Sequence, residues 1–199
     1  MLDLLWLVPA LPFAGFVALT LARGRLSRRA LATVGVGSVG LSALVAIVVA
    51  ASFLAGAPSG GAHAQTLWTW LEVASLRADV TLYLDALSLV MVLVVTVVGF
   101  LIHLYSARHM AEDADYGRFF AYMNLFVASM LILVLADNFL VLLLGWEGVG
   151  LCSYLLIGFW YADPANGRAA RKAFVITRLG DTAMLIGIFI LYTSLGTLH

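Results

Sequence analysis

Apolar residues in this chain run in long unbroken stretches, with polar residues gathered between them. Six stretches, residues 4–22, 30–54, 85–105, 118–136, 139–161 and 168–193, approach or exceed the roughly 20 residues a helix needs to cross about 30 Å of hydrocarbon. They are apolar on every face, so each predicts a membrane-spanning helix rather than an amphipathic surface helix. Pro9 and Pro12 fall near the start of the first stretch, where a missing amide costs least. Residues 66–73 and 79–84 break the pattern: they alternate and carry Trp68, Trp70 and Tyr83. They predict two short strands of an extramembrane hairpin, residues 66–84, with its aromatics suited to the membrane interface. The loops fall at residues 23–29, 55–64, 106–117, 137–138 and 162–167.

Composition sharpens this picture. Hydrophobic residues make up 63% of the 199 positions and charged residues 11%, against about a quarter charged in soluble domains. Mean hydropathy is +1.05. The expected class is an all-α polytopic membrane protein with six spans. A transmembrane β-barrel is excluded, because its strands alternate over about ten residues. Formal net charge is zero, which gives no case for nucleic acid. The single cysteine, Cys152, lies inside a span; it cannot form an internal disulfide, and no CxxC is present. No basic segment precedes the first apolar run, so that run reads as a span and not as a signal peptide.

Basic residues are divided unequally between the two ends of the bundle. Arg23, Arg25, Arg28, Arg29, Arg108, Arg118, Arg168, Arg171 and Lys172 fall in or beside the loops after spans one, three and five; the opposite end has only Arg77. The positive-inside rule then puts the N-terminus outside and the basic loops in the cytoplasm.

A few residues stand out chemically. Glu147 lies nine residues into the fifth stretch, about 13–14 Å from its start at 1.5 Å per residue. A charge at the centre of a spanning helix costs about 2.5–3.5 kcal/mol even on lenient scales. Glu147 is flanked by Gly145, Gly148 and Gly150, which let a helix or a file of water approach closely. Burial and a neighbouring cation pull the proton affinity of such a carboxylate in opposite directions, so moving the cation switches it. That suits a proton relay; a permanent ion pair that serves helix assembly is the alternative. On the sixth stretch Arg178 and Asp181 are three residues apart and face the same way, so they can pair along the helix. Arg171, Phe174, Arg178, Asp181 and Leu185 form one stripe, with Lys172 at its cytoplasmic end. Asp137 reads as a solvated turn residue and His103 as an interface residue. The run from Gly35 to Gly40 spells GxGxxG, but it lies mid-span with no strand before it. Close helix packing through Gly35, Ser38 and Ser42 is the better reading.

The stretch from Gly145 to Trp160 resembles the fifth helix of the L-subunit family of bacterial NADH:quinone oxidoreductase, the respiratory complex I, whose mitochondrial counterpart is subunit 5. The stretch from Lys172 to Asp181 resembles the opening of that family's sixth helix, and Tyr83 to Ser88 its third-helix entrance. The resemblance extends over the whole chain. It implies a membrane-arm subunit in the bacterial inner membrane that translocates protons, with Glu147 as the proton-carrying carboxylate and Arg178, Asp181 and Lys172 as supporting charges. It also implies that the chain itself holds no cofactor. NADH, FMN, iron–sulfur clusters and quinone would reside in partner subunits, with subunit M the adjacent membrane partner. Any enzyme activity would then belong to the assembled complex, with no electron transfer in this chain. In that family the helix-five glutamate works with lysines on later helices, whereas the only lysine here is Lys172. The expectation is therefore an N-terminal fragment. Residues 1–117 would form a three-helix region, and residues 118–199 the first part of an antiporter-like repeat. An Mrp-type cation/proton antiporter component and a purely structural six-span protein are the competing readings.

Overall fold

The computed structural model describes residues 1–22, 25–56, 60–73 and 76–199. Arg23 of the first basic loop, residues 57–59 of the second loop and residues 74–75 of the hairpin lie outside the described residues. Among the described residues, six helices are long and apolar enough to cross a membrane. A 3-10 turn, Leu2–Leu4, leads into α1 (Leu7–Leu21), followed by α2 (Arg28–Gly56). An antiparallel hairpin, β1 (His63–Val73) and β2 (Leu76–Leu84), precedes α3 (Ala86–His109). Then come α4 (Tyr116–Val134), α5 (Phe139–Ile157) and α6 (Pro164–Leu195).

The boundaries differ from expectation where capping overrides composition. Helix α6 begins four residues early, because Asp163 accepts from the Ala165 amide and Pro164 occupies the first turn, where its missing N–H is no loss. Helix α5 ends at Ile157 instead of reaching residue 161, with Gly158 as its C-cap. Helix α3 continues to His109 and contains a π-helical segment, Val94–Val98; apolar periodicity carries no signal for such a segment. The hairpin is longer than its alternating core, since its β-bulges let irregular residues join the ladder. Pro12 sits well inside α1, which releases the carbonyl of Val8. The Ser42 hydroxyl of α2 donates to that carbonyl at 2.6 Å.

Helix α4 is central and packs against α1, α2, α3 and α5, whereas α6 rests mainly on α5. The G-x-G-x-x-G stretch serves packing: a Cβ on Gly35 would lie 2.6 Å from the Phe120 ring. Ser38 donates to Asn124 Oδ1 at 2.6 Å, and Asn124 in turn donates to the Gly35 carbonyl at 3.2 Å.

The two ends of the bundle are tied differently. At the basic end, Arg28 donates to the Ala111 carbonyl, and Arg118 donates to Phe159 O at 3.1 Å and pairs with Asp115 at 2.8 Å. At the other end the hairpin acts as a clamp. The Tyr83 amide donates to Leu135 O at 2.7 Å, Asn138 Nδ2 to Asp79 O at 2.8 Å, and Trp6 N to Gln65 Oε1 at 3.1 Å. Asp137, at the α4–α5 turn, pairs with His199 at 2.8 Å. Outside the spans, Asp79 is held below the ordinary carboxylate range by its hydrogen bond with Thr69 and by Arg77.

A charged cluster between helices five and six

Helix α5 starts where Asn138 accepts from the Val141 amide at 3.1 Å, and it reaches the site at the second and third turns. Two glycines bring it against α4. A Cβ on Gly145 would lie 2.6 Å from the backbone nitrogen of Leu133, and one on Gly148 would lie 2.5 Å from Ser129 Oγ. The glycines around Glu147 therefore admit a helix, as one of the two sequence readings had it. Gly150 faces the other way, its nearest neighbour being the Arg178 guanidinium.

Across from this face, Arg178 of α6 makes an ion pair with Glu147 through Nη1 and Oε2. The same Nη1 lies 3.8 Å from Asp181 Oδ2. Its guanidinium carbon stands 4.6 Å from the Phe174 ring centroid, and Phe174 packs on Tyr154 at 5.2 Å. The aromatic pair thus forms one wall of the arginine site, favourable to a cation over a ring face. Asp181 is 7% exposed. Its Oδ1 accepts from the indole Nε1 of Trp146 at 2.8 Å.

The structure thus brings together three of the four residues expected from sequence, Glu147, Arg178 and Asp181, and adds Trp146. Arg178 does not simply satisfy Asp181 along its own helix. Its guanidinium reaches across to α5, and Asp181 is completed by the indole. The signal for Trp146 was its position beside Glu147, but its role as a donor emerges only when α6 is placed. Lys172 is not part of the cluster. It is exposed, makes no ion pair among the described residues, and lies six residues before Arg178, about 9 Å along the helix.

His103 was expected at the interface and is instead fully buried. Its Nδ1 donates to the Gly99 carbonyl at 2.8 Å and its ring lies 6.0 Å from Phe120. Val92, Thr96, His103 and Ser106 recur at spacings of four, seven and three residues and are all buried. That periodicity was a readable signal that His103 faces the core.

The six-span bundle is that of a class, the antiporter-like membrane subunits. Residues 136–199 match the family model described as NADH:quinone oxidoreductase/Mrp antiporter, TM. Residues 70–120 match that of NADH-ubiquinone oxidoreductase (complex I), chain 5 N-terminus. Within this class the chain belongs to the family of NADH-quinone oxidoreductase subunit L. It is 54% identical to that subunit of Escherichia coli (strain K12) over 198 residues, 100% of this chain and 32% of the relative. The Mycobacterium tuberculosis subunit L (strain H37Rv) is 45% identical over 97% of this chain and 30% of its own length. The chain spans about a third of the length of these relatives.

Among solved structures, the Mrp complex from Dietzia sp. DQ12-45-1b is similar with a TM-score of 0.77 and 27% identity, over 98% of this chain and 20% of that one. The fold also matches the membrane-bound sulfane sulfur reductase, an archaeal respiratory membrane complex, with a TM-score of 0.75 and 24% identity over 96% of this chain and 28% of that one. The protein is a multi-pass protein of the bacterial inner membrane.

Proposed function

We propose that this chain takes part in proton translocation by the membrane arm of an NADH:quinone oxidoreductase, with Glu147 as the group that takes up and releases the proton. The observation that carries this reading is the sharing of Arg178 between Glu147 and Asp181. With Arg178 on Glu147, the carboxylate is neutralised by a cation. When Arg178 shifts to Asp181, 3.8 Å away, a proton can neutralise Glu147 instead, and return of the arginine expels it. Arg178 and Asp181 are the supporting charges; Lys172 supplies positive potential at the entrance of α6. The matches to subunit L in both halves of the chain support the coupling to a redox complex.

Residues 118–199 act as the opening of an antiporter-like repeat on a three-helix support, residues 1–117. The N-terminus faces outward and the basic loops face the cytoplasm, in line with the positive-inside rule. NADH, FMN, iron–sulfur clusters and quinone belong to partner subunits, and subunit M is the adjacent membrane neighbour. The similarity to the Mrp complex favours one further reading, cation/proton antiport without redox coupling.

Both readings are separated in vesicles carrying the full-length protein in its complex. Acidification driven by NADH, and lost in Glu147→Gln, supports the first. Acidification driven by a sodium gradient alone supports the second. Unchanged NADH-driven acidification in Glu147→Gln removes Glu147 from the path and leaves the cluster a structural tie.

A further inference from the structure

Trp146 and Glu147 are consecutive on α5, so their side chains leave the helix about 100° apart. Both nevertheless end on α6, Trp146 on Asp181 and Glu147 on Arg178. The indole N–H donates to Asp181 Oδ1 at 2.8 Å, while Asp181 Oδ2 lies 3.8 Å from Arg178 Nη1. Glu147 Oε2 pairs with the same nitrogen. Asp181 therefore has two sources of compensation for its charge, a neutral donor of its own and a cation it shares. A buried carboxylate with too few donors draws in whatever donor is near. The indole N–H reduces that pull. It is the one member of the set with no net charge, and among the described residues it makes no other hydrogen bond. Trp146 is 47% exposed, so its contribution here is the N–H and not core packing.

We propose that Trp146 is a positioning residue which, by holding Asp181 through its indole N–H, keeps Arg178 on Glu147 and so sets how the cation is divided between the two carboxylates. This rests on Glu147 being the proton-carrying group. The groups facing the cluster are Glu147, Trp146 and Tyr154 from α5 and Phe174, Arg178 and Asp181 from α6. Helix α4 lies against the other face of α5, where Gly145 and Gly148 meet Leu133 and Ser129.

The test uses the full-length protein in its complex, with Trp146→Phe, Asp181→Asn and the double variant. Trp146→Phe keeps the ring and removes the donor. It is expected to lower NADH-driven translocation about ten- to hundredfold, the scale of one hydrogen bond to a charged group, and to change the shape of its pH profile. In the Asp181→Asn background the same change is expected to have no further effect. A wild-type pH profile in Trp146→Phe, or losses that simply multiply in the double variant, overturns the proposal. A second measurement does not depend on how well Trp146→Phe assembles. The vibrational signature of the Trp146 indole N–H, read with Trp146 intact, is expected to shift from wild type to Asp181→Asn, and an unmoved signature overturns the proposal. Glu147→Gln distinguishes the two levels. If it leaves translocation intact, the proton-carrying role of Glu147 fails; if it stops translocation while Trp146→Phe behaves as wild type, only the positioning role fails.

Discussion

A single methyl group at Gly145 tests how α5 is held in place. The Cβ of Gly145→Ala would stand 2.6 Å from the Leu133 nitrogen, 2.7 Å from its Cα and 2.8 Å from its Cβ. Ordinary carbon contacts lie at about 3.5–4.0 Å, and two of these three atoms are backbone, so α5 must retreat by about 1 Å. Overpacking of this kind costs about 1–3 kcal/mol; the better helix propensity of alanine returns about 1 kcal/mol. The control is Gly37→Ala on α2, where nothing lies within 4 Å of the added atom; there only the propensity gain of about 0.5–1 kcal/mol remains. The two substitutions are thus expected to move stability in opposite directions. The assay is the thermal midpoint of the full-length protein in detergent, alongside its abundance in membranes. Equal behaviour of Gly145→Ala and Gly37→Ala would refute the close crossing. Because Glu147 rides on the displaced helix, translocation is also expected to fall further than abundance in Gly145→Ala.

Other expectations concern the ends of the helices. Asp85→Ala removes the side-chain acceptor of the capping box that starts α3 and leaves the residue-85 amide on the Ser88 hydroxyl, an expected loss of about 1 kcal/mol in thermal unfolding. The Ser88 backbone N–H holds the Asp85 carboxyl below its ordinary range. Its contribution is therefore complete above the unfolded pKa and fades as pH falls through the lower folded value, so the difference between wild type and Asp85→Ala should shrink in acid. Asn138→Ala loses the cap of α5 and the bond to Asp79 O; about 1–2 kcal/mol and faster proteolysis in the hairpin are expected. The Trp160 indole, ahead of the Asp115 amide, holds Asp113 below the carboxylate range. Their contact should survive above that range and break only in stronger acid, read as a change in Trp160 emission that is absent in Asp113→Asn.

Much of the fold was legible because spans are written in uninterrupted apolar length, and Glu147, Arg178 and Asp181 were conspicuous as charges within those runs. The start of α6 was also written in the chain, in the Asp163–Pro164 pair, but composition alone reads it as a loop. What the chain does not spell out is anything that depends on which helix faces which. Trp146 becomes a donor to Asp181 only when α6 lies against α5, and Arg178 chooses between two acceptors by reach and not by spacing. The π segment in α3 leaves no mark on apolar periodicity, and Lys172, conspicuous as the only lysine, stays outside the cluster because it lies about 9 Å nearer the start of α6 than Arg178.

The central claim is that Glu147 exchanges a cation for a proton. The most direct measurement is infrared difference spectroscopy of the full-length protein in its complex, at rest and during NADH turnover, with Glu147→Gln as the assignment. A protonated-carboxyl band that appears in turnover and is missing from Glu147→Gln is the predicted result. A carboxyl region that is the same at rest, in turnover and in the variant would mean that Glu147 stays paired with Arg178 throughout, and would contradict the account.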